Sequence, residues 1–357
     1  MIILYITVIL EKETEEVSMK LIKTEDAVGH IIPHDMTRIV KGVEKGAAFR
    51  KGHVITAADI PVLLSMGKEH IYIYEVKENM VHEDDAAAVL AKICAGENIT
   101  TTPVKEGKIE LFAARDGLLE VDSERLGEIN ALGEIIIASR HRNFPVKKGE
   151  KIAGTRIIPL VISADLLNAA KEIASDKPLM NVRPFLAKKA GIITTGNEVF
   201  HSRIKDTFTP VVIEKLSEYG AEVFSHVVVG DDNEKITRTI INMIDEGADL
   251  VLCTGGMSVD PDDRTSLAIK NSGAALVSYG APVLPGAMFL MSYLNGIPVM
   301  GLPGCVMFEK RTIFDLILPK VMADVPVLPE DLVVLGHGGL CLQCDTCVFP
   351  ACSFGKA

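Results

Sequence analysis

Two groups of residues in this chain have types and spacings suited to chemistry. The first is a run near the C-terminus, Cys341-Leu-Gln-Cys344-Asp-Thr-Cys347-Val-Phe-Pro-Ala-Cys352. Its C-x2-C-x2-C-x4-C spacing places four thiols within twelve residues, close to a ferredoxin-type run whose last gap is shorter. Thiolates so near one another suit a tetrahedral zinc ion or an iron–sulfur cluster. Gly336, Gly338, Gly339 and Pro350 provide turns, and His337 is an alternative ligand. With no secretion signal, the run reads as a metal site and not as a disulfide frame.

The second group is three loops rich in glycine and hydroxyls. They are Thr194-Thr195-Gly196-Asn197-Glu198; Thr254-Gly255-Gly256-Met257-Ser258, running on to Asp260-Pro261-Asp262-Asp263-Arg264-Thr265; and Gly301-Leu302-Pro303-Gly304. Adjacent glycines let backbone N–H groups turn into a loop and approach a phosphate closely. Serine and threonine hydroxyls add donors, and a following helix N-terminus adds positive dipole. One Gly-Gly turn after a strand is weak evidence for a phosphate site; three at neighbouring strand ends are stronger.

The elements around these loops are expected to bring them together. Ala190–Thr194 and Asp249–Cys253 are apolar runs of the kind buried on both faces of a parallel sheet. Glu222–Val229 reads as a further strand. A helix starting at Thr209-Pro210 carries Val212, Leu216 and Tyr219 on one stripe and ends at Gly220; another, Glu234–Glu246, is capped from Asp231-Asp232-Asn233 and closed by Gly247. Alternating strands and helices predict an α/β, doubly wound, mostly parallel sheet, whose ligands bind at the C-terminal strand ends. The loops after Thr194, Val229, Cys253 and Gly301 should therefore line one site.

These loops resemble the molybdopterin-binding domain shared by the adenylyltransferases and molybdenumtransferases of molybdenum-cofactor biosynthesis. The family's Thr-Gly-Asp-Glu is matched by Thr195–Glu198, and its Gly-Gly-x-Ser-x-x-x-x-Asp by Gly255–Asp263. Its Asp-Asp after the second strand is matched by Asp231-Asp232, and its Leu-Pro-Gly-Asn by Leu302–Cys305. The likeness covers residues 188–322. It implies molybdopterin held by its phosphate, with Thr194, Thr195, Gly196, Asp231, Thr254, Gly255, Gly256, Ser258, Leu302, Pro303 and Gly304 as binding residues. Glu198 and Asp263 are then the catalytic acids positioning Mg²⁺ or molybdate, although Asp263 also suits helix capping. The family's Pro-Gly-Lys-Pro is Pro285-Gly286-Ala287-Met288 here, so a cation is missing that Lys310, Arg311 or the basic turn at Lys147, Lys148, Lys151 and Arg156 would have to supply. Asn197 and Cys305 replace the family's Asp and Asn. Cys305 reads either as a small buried residue or as a thiolate near molybdenum; Cys253 reads as core.

Three function classes follow. One is a Mg²⁺-dependent enzyme inserting molybdate into (adenylylated) molybdopterin, one a carrier or maturation factor delivering cofactor to a molybdoenzyme, and one an electron-transfer protein using the cysteine run. A net charge of −11 argues against a nucleic-acid partner. The opening Met1–Leu10 is too short to span a bilayer. A cytoplasmic protein is expected, with homo-oligomerisation open. Glu15-Glu16-Val17 can be encoded by GAGGAGGTN, a ribosome-binding sequence, so translation is expected to start at Met19, with residues 1–18 outside the native chain. The remaining divisions are a small mixed α/β domain over 19–95, a β-rich segment over 96–187, the α/β domain over 188–325 and a Cys-rich tail over 326–357. Asp59–Gly67, capped by Asp59, and residues 83–94 are expected helices, and Ile71–Val76 an expected strand.

Overall fold

A computed structural model describes residues 19–40, 44–74, 79–257 and 264–356. The expectation for residues 1–18 lies outside these. The chain forms two compact units that interleave in sequence. Unit 1 takes the described residues up to Phe112, then Asp122–Arg140 and Lys151–Met180; unit 2 takes Ala113–Val121, His141–Glu150 and Asn181 onward. This grouping follows long-range strand pairing. Within the stretch expected as one β-rich segment, Gly117–Val121 lies between Phe144–Val146 and Met180–Pro184 in a three-stranded sheet, while Ile109–Ala113, Lys151–Ile157 and Ile135–Ser139 belong to a four-stranded one.

Unit 1 contains the expected helix, Glu83–Cys94, which packs Ala86, Ala87, Leu90 and Cys94 inward. Its strand His70–Tyr74 pairs antiparallel with Met19–Lys23. The helix expected at Asp59–Gly67 is Ile60–Ser65, and the Asp59 side chain does not cap it. Instead Asp59 accepts from the Thr56 amide and hydroxyl at 2.8 and 2.7 Å and meets His53 at 2.9 Å. Those bonds hold its carboxyl down at about 2.

Unit 2 is built on a six-stranded sheet. Its strands are β1 (Lys189–Thr195), β2 (Glu222–Val229), β3 (Leu250–Thr254), β4 (Ala275–Tyr279), β5 (Leu290–Leu294) and β6 (Ile297–Leu302). The spatial order is β2-β1-β3-β6-β5-β4, with β2, β1, β3 and β6 parallel, β5 antiparallel to β6, and β4 antiparallel to β5. β3 is interior and buried throughout. Its period-2 alternation explains the unbroken apolar run: Leu250 and Leu252 enter one core with Ala190, Ile192, Met300 and Leu302, while Val251 and Cys253 enter a second with Ile193 and Val299.

Helices cover both cores. α1 (Phe208–Ser217) and α4 (Ile313–Met322) supply Val212, Leu216, Phe314 and Ile317 to the first. α2 (Asn233–Asp245) and α3 (Thr265–Asn271) supply Ile236, Ile240, Ala268 and Ile269 to the second. The sheet is doubly wound, as the pattern of strand and helix requires. Asp232 caps α2 by accepting from the Glu234 and Lys235 amides, each at 3.1 Å. α4 is buried along its whole length, and its two charged residues are paired. Asp315 meets Lys215 at 2.7 Å, and Lys320 meets Asp331 at 2.6 Å.

Candidate functional site

Strand register decides which loops share an edge. Thr194 lies opposite Thr254, Thr254 opposite Leu302, and Thr195 opposite Val229. The segments beginning at Gly196, Gly230, Gly255 and Pro303 therefore leave the same C-terminal edge of four adjacent parallel strands.

Thr195 ties the first two together. Its hydroxyl donates to the Thr254 carbonyl at 3.0 Å and lies 2.8 Å from the Thr265 hydroxyl. Gly255 and Gly256 follow with φ of +82° and +55°, where a β-carbon is disfavoured. A β-carbon on Gly256 would lie 2.6 Å from the Thr265 hydroxyl oxygen, and one on Gly255 would meet the Thr195 carbonyl. The two glycines thus bring bare backbone against a threonine cluster. The Thr254 hydroxyl beside them is buried and has no hydrogen-bond partner among the described residues. A buried polar atom without a partner is uncommon.

Thr194 faces the other way. It is buried, and its hydroxyl lies 2.8 Å from that of Thr209 and 3.0 Å from Nε2 of His226. Asp206 completes this group: it accepts from the Thr209 hydroxyl at 2.6 Å and from the Phe208 and Thr209 amides at 2.9 and 3.0 Å, capping α1. Burial raises the Asp206 carboxyl, but these hydrogen bonds outweigh it and hold the group below the usual carboxylate range. Asp206 and His226 were not singled out in the sequence, and Thr209 and Thr265 were read only as a helix start and as the end of the second loop. For Asp206 a signal was available, an Asp three residues before the Thr-Pro helix start.

The acidic residues divide. Asp231 accepts from the Asn197 amide at 3.0 Å, and the Asn197 side-chain oxygen accepts from the Asp231 amide at 3.3 Å, clamping two loops. Glu198 is exposed, on the single helical turn Asn197–Phe200, with its carboxylate over Gly196. Ser258 and Asp263 lie outside the described residues. Leu302 and Pro303 are buried and Gly304 is exposed, at the start of a 3-10 turn, Gly304–Met307. Cys305 in that turn is half-buried, and burial pushes its thiol up, so it is the neutral thiol at pH 7. Cys253 is wholly buried, its thiol pushed up to about 12.

The cations expected to stand in for the missing family lysine have other contacts. Lys310 donates to the carbonyls of Cys344 and Asp345 at 3.4 and 2.6 Å. Arg311 donates to Glu218 at 3.1 Å and Asp315 at 2.9 Å. The basic turn splits between units, with Lys151 meeting Glu110 at 3.3 Å in unit 1 and Lys148 in unit 2. In the tail, Cys341 and Cys352 are half-buried, Cys344 and Cys347 are exposed, and all four are free thiols. No helix among the described residues is long and apolar enough to cross a membrane.

Comparison with known proteins agrees with this reading of residues 191–323, which match a family described as "Probable molybdopterin binding domain". Residues 21–75 match a "Domain of unknown function (DUF8806)". Competence-damage inducible proteins of Bacillus velezensis and Bacillus subtilis are 36% identical over 87 residues and 34% identical over 85. Each match covers 24% of this chain, and the chain spans only about a fifth of those relatives, 21% and 20% of their lengths. Among solved structures, the molybdopterin biosynthesis enzyme MoaB of Thermus thermophilus is 22% identical, with a TM-score of 0.32, covering 37% of this chain and 91% of its own. The molybdopterin biosynthesis MoeA protein of Pyrococcus horikoshii is 17% identical, with a TM-score of 0.31, covering 68% of this chain and 79% of its own. The likeness to a probable molybdopterin binding domain is thus carried by residues 191–323, the part of the chain that holds the glycine loops.

Proposed function

We propose that unit 2 binds molybdopterin by its phosphate at the edge carrying Gly196, Gly255, Gly256 and Gly304, and inserts molybdate into it in a Mg²⁺-dependent step. The observation that carries the reading is the Gly255-Gly256 turn: two positive-φ glycines laid against the Thr195 and Thr265 hydroxyls at the end of an interior parallel strand. Backbone amides in such a turn recognise an anion without side-chain bulk.

The donors near this edge fit a hard cation. Glu198 and Asp231 are oxygen ligands on two loops joined through Asn197, and Asp263 belongs to the same set by the family likeness. Bound Mg²⁺ neutralises phosphate and molybdate charge. The chain's own residues orient the ligand: Thr195 fixes the Gly255 turn, and the Asn197–Asp231 clamp fixes Glu198. Molybdopterin and molybdate are substrates in this reading.

A second reading, a non-catalytic carrier delivering cofactor to a molybdoenzyme or its maturation proteins, is favoured by one observation. Ala287 stands where the family has a lysine, and Lys310 and Arg311 bond elsewhere. Two variants separate the readings. Gly256→Val should abolish molybdopterin binding, because its side chain meets Thr265 and disfavours φ of +55°. Asp263→Asn should bind nearly normally yet lose turnover with molybdopterin, Mg²⁺ and molybdate by about 100-fold or more, the order expected when a group acts in the transition state. Full activity of Asp263→Asn in restoring a molybdoenzyme, with none for Gly256→Val, would instead establish the carrier.

A further inference from the structure

The C-terminal tail forms a closed loop with its ends clamped together. The Leu284 amide donates to the Gly339 carbonyl and the Cys341 amide to the Leu284 carbonyl, both at 2.8 Å, while the Gly355 amide donates to the Gly338 carbonyl at 2.9 Å. Gly338 runs so close to Lys356 that a β-carbon would lie 2.5 Å from its carbonyl oxygen. Phe354 is buried in the unit 2 core. Between these anchors, residues 342–353 form no helix or strand, and Leu342 and Val348 are exposed. Backbone pairing and Phe354 therefore fix the ends of the loop, and Phe349 and Cys352 lean partly on the core, while the stretch carrying Cys344 and Cys347 stays exposed.

All four tail cysteines line one cavity of about 170 Å³. Phe308–Arg311 line it as well. Lys310 holds its ammonium against the carbonyls of Cys344 and Asp345, which puts a positive charge beside the loop backbone. The cavity shares no residue with the glycine loops of the candidate pterin site. As placed, no three His, Cys, Asp or Glu side chains among the described residues converge closely enough to hold an ion. All four cysteines belong to the lining of this one space, and Cys344 and Cys347 are exposed.

We propose that Cys341, Cys344, Cys347 and Cys352 bind one thiophilic metal centre, as zinc or an iron–sulfur cluster, which fixes the middle of the tail loop. With zinc, Zn²⁺ and four thiols give a tetrathiolate of charge 2− and release four protons. A cluster is taken up preassembled by the same four deprotonations. Lys310 offsets part of the negative charge. This centre goes beyond the molybdopterin reading and stands or falls separately from it.

The test uses the full chain, purified anaerobically, with metal and sulfide analysis. Near-stoichiometric zinc in a colourless protein, or iron with sulfide and visible absorption, supports the centre and names the metal. Each of Cys341→Ser, Cys344→Ser, Cys347→Ser and Cys352→Ser should fall to about a tenth of that content, while Cys305→Ser keeps it. The exposed Cys344 and Cys347 positions should leave the far-UV circular dichroism unchanged. A second measurement on the unaltered chain counts cysteines that react with a maleimide: adding zinc to the metal-free protein should protect the four tail thiols. Undiminished metal in the four variants, or no protection and no retained metal in the unaltered chain, overturns the proposal.

Discussion

Thr194 and Thr195 are adjacent, and both were expected to face the ligand, yet a strand can present only one of two neighbours to a given face. Thr195 reaches Gly256 and Thr265, and Thr194 reaches Thr209 and His226. Residue types announced hydroxyls at the strand end; which hydroxyl turned where depended on partners 15 to 70 positions away in the chain. The same distance hid the contacts of Lys310 and Arg311. Burial makes one such contact a sharp prediction. Lys215 and Asp315 are 6% and 2% exposed, and Asp315 also accepts from Arg311 and the Thr312 amide. Removing one member strands the other charge, so Asp315→Ala should cost about 3–5 kcal/mol in urea denaturation. Replacing Lys215 and Asp315 together by Met and Leu should cost less than Asp315→Ala alone; an equal or larger loss would mean the pair itself, not the stranded charge, carries the stability.

Elements were more legible than side-chain contacts. Glu222–Val229 was readable to the residue, and β3 within one; for β3 the reason is burial on both faces, which leaves an unbroken apolar run that few other structures require. The α1 start shows what was less readable: Asp206, from outside the helix, caps it with bonds to the second and first amides beyond Thr207. Asp206→Ala should cost about 1–2 kcal/mol at neutral pH, the range for lost helix caps. Since the folded state holds this carboxyl below its usual range, its contribution is present above the unfolded carboxylate value, near about 4, and is lost as pH falls through the lower folded value. Thermal melts from pH 7 downward should therefore show the variant and the parent converging at the acid end. A gap that stays constant with pH would show that the carboxylate's charge is not what stabilises α1.

At the scale of the molecule, the parallel sheet was predictable and the interleaving was not. Nothing local in Gly117–Val121 or Phe144–Val146 says that they join unit 2, because pairing partners are set by contacts far along the chain. Phe144 packs in the same core as Phe354 and lies 5.8 Å from the Phe349 ring. The tail is thus part of that core. Phe354→Ala should cost about 3–4 kcal/mol by the usual cavity cost of a buried phenylalanine, read as a lower melting temperature of unit 2. A loss below about 1 kcal/mol would mean the tail is only loosely seated.

Interleaving has a consequence for how the chain comes off the ribosome. Residues 113–121 and 141–150 emerge long before the rest of unit 2, since β6 and α4 end at Leu302 and Met322. Those early strands must stay available, tethered between stretches of unit 1, until α4 has been made. For the same reason a fragment starting at Lys188 inherits the glycine loops but not Phe144, and exposes the apolar ground that residue covers. A cut at Lys188 therefore leaves unit 2 without two short stretches that belong to it.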